Sequence, residues 1–369
     1  MKILFSTKNW NRVLIYLLFI CSTFSIAGTE ASIVILYLIT LIRWLRNRPL
    51  EQLENPFLWI TLFFIATTVI SGLFNSYETD HLMALRNNWR LLLPLLLAGI
   101  LTEINSEQLL WSFFGFVFLI SVYGIIQYFT GADWLRPVGE KLTTPYLLGS
   151  SEVNNVYHAK GNFSHHLTYG GFLLLSFPLL FSLTFCREWY PLTRILTLFI
   201  AIFVLLGIGA SLGRSIWLGT AITIILLMFR IYPKIIITIL IAIIVTATYF
   251  FIQFGNAPIL NRVPTNHIEA LQQRFISGFI LKSNQDRILM WETGITAIKD
   301  HFWLGIGYNN DALVMEEYRK RISKITGHRF HNNASTGVHN IYIQTWLNYG
   351  FFGILGYIGI LVIFFFQAI

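Results

Sequence analysis

Residues 194–229 read RILTLFIAIFVLLGIGASLGRSIWLGTAITIILLMF. Two apolar runs, 194–210 and 215–229, are separated only by Ser211-Leu212-Gly213-Arg214. Each run approaches the roughly 17–20 residues that a helix needs to cross a hydrocarbon core. A junction this short leaves no room for a soluble segment, so the stretch reads as two membrane helices joined by a tight polar turn.

The same reading extends in both directions. Further spans are expected near 12–28, 31–45, 57–73, 88–102, 109–129, 166–185, 234–254 and 346–368, ten helices in all, with Gly28-Thr29-Glu30 as nearly the whole turn between the first two. Composition agrees: of 369 residues, 55% are hydrophobic and 12% charged, against about 25% charged in a soluble fold. The expected fold class is therefore all-α, a polytopic integral membrane bundle with a long, partly helical loop before the last helix. The N-terminal run could be a signal peptide, with Ser25-Ile26-Ala27 at the cleavage spacing, but another apolar run follows at once, favouring an uncleaved helix. The net charge of +8 brings no basic block interleaved with aromatics in a polar segment, which argues against nucleic acid. Cys21 and Cys186 lie in or beside apolar runs and suggest neither a disulfide framework nor a thiolate metal site.

Lys and Arg set the orientation. With the N-terminus cytoplasmic, ten basic residues before position 255 fall inside and six outside, the asymmetry of the positive-inside rule. The segment 255–338 then faces outward. The expected organisation is a bundle over 1–254, an outer loop domain over 255–338, and a final segment with its helix over 339–369. The loop is read as a folded lid with amphipathic helices at 266–281 and 285–300. In the second, Ile288, Trp291, Ile295 and Ile298 recur at three- and four-residue spacing as one apolar face, with Arg287 beside it in the first turn. A second outer connection, 130–165, carries Trp134, Arg136, His158 and His165, with His166 just beyond it.

Three outward spots can carry chemistry. Arg214 sits at membrane depth, where an arginine is either functional or snorkelling to headgroups. Arg287 shares a helix face with Trp291 and offers an anion paired donors, although an inconsequential surface charge reads equally well. His339-Asn340 leads into the last helix, and a neutral imidazole there can accept a proton from a hydroxyl, or serve only as a structural hydrogen-bonding residue. His165 and His166, adjacent on a helix, point apart and make a poor metal pair, and His158, His328 and His331 read as solvated loop residues. No metal and no cofactor is expected.

Taken in order, Ser211-Leu212-Gly213-Arg214, Arg287-Ile288-x-x-Trp291, Leu304-Gly305-Ile306-Gly307 and His339-Asn340 with Gly350 and Gly353 resemble the O-antigen ligase family and its wider superfamily of polymerases and protein O-oligosaccharyltransferases. The resemblance implies that Arg214 and Arg287 engage a donor diphosphate and that His339 is essential; Trp291 and Asn340 are taken as substrate-binding neighbours. It further implies transfer of O-antigen from undecaprenyl diphosphate to lipid A-core at the periplasmic face of the bacterial inner membrane. A polymerase of the same superfamily and a polyprenyl-linked sugar transporter are the alternatives. Phe302-Trp303 stands where the family commonly places a proline before the Gly-x-Gly turn. Family members also continue with further membrane helices, so the chain reads as truncated after Ile369.

Overall fold

The computed structural model describes residues 13–18, 21, 26–47, 54–74, 88–94, 105–135, 145–148, 151–186, 188–256, 267–327, 330 and 337–368. The expected sites Arg136, His328 and His331, and residues 95–102 of the expected span 88–102, lie outside them.

The helices are α1 (Ile26–Asn47), α2 (Pro56–Leu73), α3 (Ser106–Thr130), α4 (His166–Phe185), α5 (Pro191–Ala210), α6 (Arg214–Ile231), α7 (Pro233–Phe254), α8 (His267–Ile276), α9 (Leu281–Asp300), α10 (Asp311–Thr326) and α11 (Ile341–Ala368). Among the described residues, α2, α3, α4, α5, α7 and α11 are long and apolar enough to cross a membrane, and α1 and α6 contain shorter apolar helical stretches. The chain is an all-α polytopic membrane protein. Local signals set the ends. Asn55 and Asn105 accept hydrogen bonds from the first free N–H groups of α2 and α3. Prolines stand in the first turns of α2, α5 and α7, where a missing N–H costs nothing, and Gly131 and Gly327 close α3 and α10 in the left-handed conformation.

Several expectations are corrected. Gly28-Thr29-Glu30 is not a turn: α1 runs through it, and Ser32 Oγ donates to the Gly28 carbonyl at 2.8 Å as helical spacing requires. Of the expected span 88–102 only 88–94 are described, and they include a 3-10 turn, Trp89–Leu92; the remainder lies outside the described residues. The 130–165 connection contains a hairpin, β1 (Pro145–Leu148) antiparallel to β2 (Ser151–Tyr157), which the all-α reading did not foresee. Helix α10 within the expected lid was also not foreseen. The lid helices themselves form, at α8 and α9.

The chain divides into two compact units, residues 1–32 with 105–283, and residues 33–104 with 284–369. In the first, α4 packs on α5 and α6, and α3 on α5, around Phe114, Tyr169, Leu173, Phe177, Val204 and Ile208. Close approach is permitted by Gly124 and Gly207, where any Cβ would strike the Tyr169 hydroxyl. Helix α7 contributes no buried window, and its Ile241, Val245 and Ile252 are exposed, an apolar exterior suited to lipid as solvent.

In the second unit α2 packs along α11. Helix α11 is broken at Gly350, whose φ of 71° and ψ of −168° are non-helical. The rings of Tyr342 and Tyr357 lie 6.0 Å apart, whereas a straight helix would separate these positions by about 22 Å. The chain therefore folds back at Gly350, and residues 341–349 form a short helix lying against the start of 351–368. The single span expected at 346–368 is corrected to these two pieces.

Candidate functional site

In the first unit the site is the turn that opened the sequence. Leu212 is fully buried with a φ of 55°, a left-handed conformation costing a non-glycine residue about 1 kcal/mol or more. The surroundings hold it there. Ser211 Oγ accepts from Gly213 N at 3.3 Å, Ala159 N donates to the Ala210 carbonyl at 3.0 Å, and His158 Nδ1 donates to the Ser211 carbonyl at 3.2 Å. The loop bearing His158 is tied to α3 in turn: the Gln127 amide bonds Gly161 O at 2.8 Å and Lys160 N at 3.1 Å, and Lys160 pairs with Asp133 at 3.0 Å. His158 is buried, which corrects the solvated-loop reading.

Because a carbonyl only accepts, the His158 bond places its proton on Nδ1. Burial lowers its pKa to about 4, and Arg274 and His165 push in the same direction. His158 stacks on His166 with centroids 4.1 Å apart, and His165 lies 4.2 Å from His166. The two adjacent histidines thus converge, contrary to the expected divergence, because His165 is the extended cap before α4 and not its first turn.

Arg214, the first residue of α6, is half-buried. Its Nη1 donates to Ser277 O at 2.8 Å, just past the C-terminal end of α8, where helix carbonyls carry partial negative charge. Arg274 Nε donates back to the Leu212 carbonyl at 3.0 Å. The lid helix α8 and the arginine turn are therefore one constellation, with Arg274 a member that the sequence reading missed.

In the second unit α9 begins at Leu281, earlier than expected, so Arg287 lies in its second turn and gains nothing from the helix N-terminus. Arg287 and Trp291 are both exposed, as their shared face requires. The expected apolar face is corrected. Ile288, Trp291 and Ile295 are exposed, and Leu289, Met290, Ala297 and Ile298 are buried together with Thr293 and Gly294. Val338 and Ile343 approach Gly294 too closely for any Cβ, so the packing face combines Leu289, Met290 and Ile298, the one member of the expected face that is buried, with the small residues Thr293, Gly294 and Ala297.

His339 is exposed on a left-handed turn, φ 52°. Val338 before it is fully buried among Ala297, Ile306, Met315 and Leu347. Asn340 after it caps α11, its Oδ1 accepting from Tyr342 N at 3.0 Å and Ile343 N at 3.3 Å. Partial desolvation lowers the His339 pKa first, and the guanidinium groups of Arg287 and Arg319 lower it further. Arg319 went unnoticed in the sequence although it stands with Val314, Met315, Tyr318 and Ile322 on the buried face of α10, a core position for a charge. Desolvation lowers its own pKa, and Asp311 opposes that shift.

The Gly305-Ile306-Gly307 bend acquires a role. With φ of 71° at Gly305 and 81° at Gly307, it aims Ile306 N at Leu347 O (2.8 Å) and Gly307 N at Asn348 O (3.0 Å), and Phe351 N bonds Phe302 O at 2.9 Å. The bend thus satisfies the carbonyls left open where 341–349 ends. Ser71 Oγ reaches Leu304 O and Asn348 O at 2.5 and 2.8 Å. The absent proline leaves the bend intact, since these bonds fix it.

The structure brings Arg287, Arg319 and His339 together in the second unit, and Arg214, Arg274 and the three histidines together in the first. Among the described residues no three His, Cys, Asp or Glu side chains are placed to hold a metal ion. Fold and sites together define a multi-pass membrane protein carrying guanidinium and imidazole groups at the ends of its apolar helices. The sequence model of the O-antigen ligase family matches residues 198–358, from within α5 into α11, a segment that includes Arg214, Arg274, Arg287, Arg319 and His339 but not the three histidines of the first unit. Over this segment, somewhat less than half of its length, the chain is similar to the O-antigen ligase family. No curated protein matches it.

Proposed function

We propose that the protein is an O-antigen ligase, moving a glycan from undecaprenyl diphosphate to a sugar hydroxyl of lipid A-core at the periplasmic face of the inner membrane. The observation that carries this reading is His339, an exposed imidazole on a turn anchored at both neighbouring residues, its pKa lowered by desolvation and by two nearby guanidinium groups.

A sugar hydroxyl attacks only as it loses its proton, and a positioned neutral imidazole takes it, a contribution of about 10²–10⁴-fold. The bond between acceptor oxygen and anomeric carbon forms as the bond from that carbon to the diphosphate oxygen breaks. The electron pair leaves with the diphosphate. Arg287 stabilises the charge gathering on that leaving group, most strongly in the transition state; a diphosphate role for Arg214 is what the family resemblance implies. Single displacement inverts the anomeric centre and needs no covalent intermediate. Residues 255–338 form the periplasmic connection in this reading, with the N-terminus cytoplasmic.

The test is transfer by the purified protein in a bilayer, with lipid-linked glycan as donor and lipid A-core as sole acceptor. Wild type is expected to ligate, and His339→Ala to bind the donor without ligating. Full ligation by His339→Ala removes the base from the scheme. Elongation of the lipid-linked glycan instead of transfer to lipid A-core makes the protein a polymerase, and glycan flux without transfer makes it a transporter.

A further inference from the structure

Gln344 is a polar side chain on the short apolar helix 341–349, and every part of its amide is engaged. Its Oε1 accepts from Val338 N at 3.0 Å. Its Nε2 donates to Asp311 Oδ1 at 2.6 Å and to Asn348 Oδ1 at 2.8 Å. The orientation of the amide follows from the partners, since a backbone N–H can only donate and a carboxylate can only accept. The bond to Asp311 is charge-assisted and short. Gln344 therefore ties three pieces of chain together: the turn at 337–340, the first residue of α10, and α11 itself. Gly337 completes the arrangement, because a Cβ there would collide with Gln344 Oε1.

His339 follows Val338 directly. With the Val338 amide held by Gln344, the Val338 side chain buried, and Asn340 capping α11, the backbone on both sides of His339 is fixed while its ring stays exposed. We infer that Gln344, oriented by Asp311, is the positioning residue for His339. This rests on His339 being the base proposed above. Gln344 itself touches no substrate.

Gln344→Glu tests the inference. A carboxylate oxygen would replace Nε2 opposite Asp311, setting two acids where a donor met an acceptor, and the turn would be pushed from its place. A displacement of about 1 Å at a catalytic group costs on the order of 10²-fold, so kcat for glycan transfer should fall by about that factor while the donor KM stays within about threefold. Asp311→Asn added to Gln344→Glu restores the polarity: the new amide at position 311 donates to the new carboxylate at position 344, which still accepts from Val338 N. The double variant should recover kcat to within about tenfold of wild type, the non-additive signature of coupled partners. Diethyl pyrocarbonate reactivity of His339, read by mass spectrometry, should change in the single variant and return in the double. Where Gln344→Glu fails to accumulate, Gln344→Met, close in size and without the three bonds, takes its place and should show the same kcat loss. Wild-type kcat in Gln344→Glu or Gln344→Met, or a double variant no faster than the single, overturns the inference. If wild type binds donor but transfers nothing, the ligase reading fails, and the His339 reactivity arm still decides the positioning claim.

Discussion

His339 can act as a base only while neutral, and the charges facing it decide how far into acid it stays so. Arg287 on α9 and Arg319 on α10 both disfavour the imidazolium, and Asp311 faces Arg319. The folded pKa lies below the ordinary 6.5, so with His339 as the proposed base activity is expected to persist below pH 6.5 and to be lost as pH falls through that lowered value. The acid limb of the kcat/KM profile should therefore sit below 6.5 in wild type. Arg319→Gln removes one repulsion and should move the limb upward; an unmoved limb would show that His339 does not set it. At this scale the sequence was partly legible. His339, Arg287 and Arg214 were conspicuous as polar residues among apolar neighbours. Arg319 and Arg274 were not: Arg319 lies in a helix rich in other charges and Arg274 in a short polar helix of the outer segment, and only burial or a specific carbonyl partner distinguishes them.

Among the elements, hydropathy was a dependable guide wherever one helix ended at a charge, proline or glycine. The expected 166–185 coincides with α4, and 234–254 with α7 to one residue. It misled in α9, since periodicity selected Ile288, Trp291, Ile295 and Ile298, of which only Ile298 is buried, while packing used Leu289, Met290, Thr293, Ala297 and Gly294, the glycine that admits Val338 and Ile343. It also missed the reversal at Gly350, for 341–368 is apolar apart from Gln344, Thr345, Asn348 and Gln367, and a backbone break leaves no mark on hydropathy. The mark was in the glycines. At Gly350 a Cβ would collide with the Trp303 carbonyl, and φ is 71°. Gly350→Ala should thus open the Gly305–Gly307 contact and lower the thermal midpoint and the transfer rate together. Gly115, inside α3 with open space around its Cβ position, is the contrast: Ala there should be neutral or stabilising by up to about 1 kcal/mol. Equal thermal midpoints for the two variants would refute the strained reversal.

Across the whole molecule, the apolar exterior and the polar turns divide the work. Leu175, Leu192, Leu226 and Ile252 present bare hydrocarbon, the solvent that the isoprenoid tail of the proposed donor would share, so its binding would need no water-filled route. The diphosphate is the group that the bilayer cannot accommodate, and its charge grows as the glycan departs. Many transferases meet that charge with a divalent cation. In the proposed reaction the guanidinium group of Arg287, set beside His339, would supply positive charge permanently and without loss to a chelator. Transfer by the purified protein should accordingly proceed at an unchanged rate in excess EDTA, with no stimulation by added magnesium or manganese. A rate that collapses on chelation and returns with one cation would assign the charge compensation to a metal. The arginines would then hold the donor in place without carrying its leaving group through the transition state.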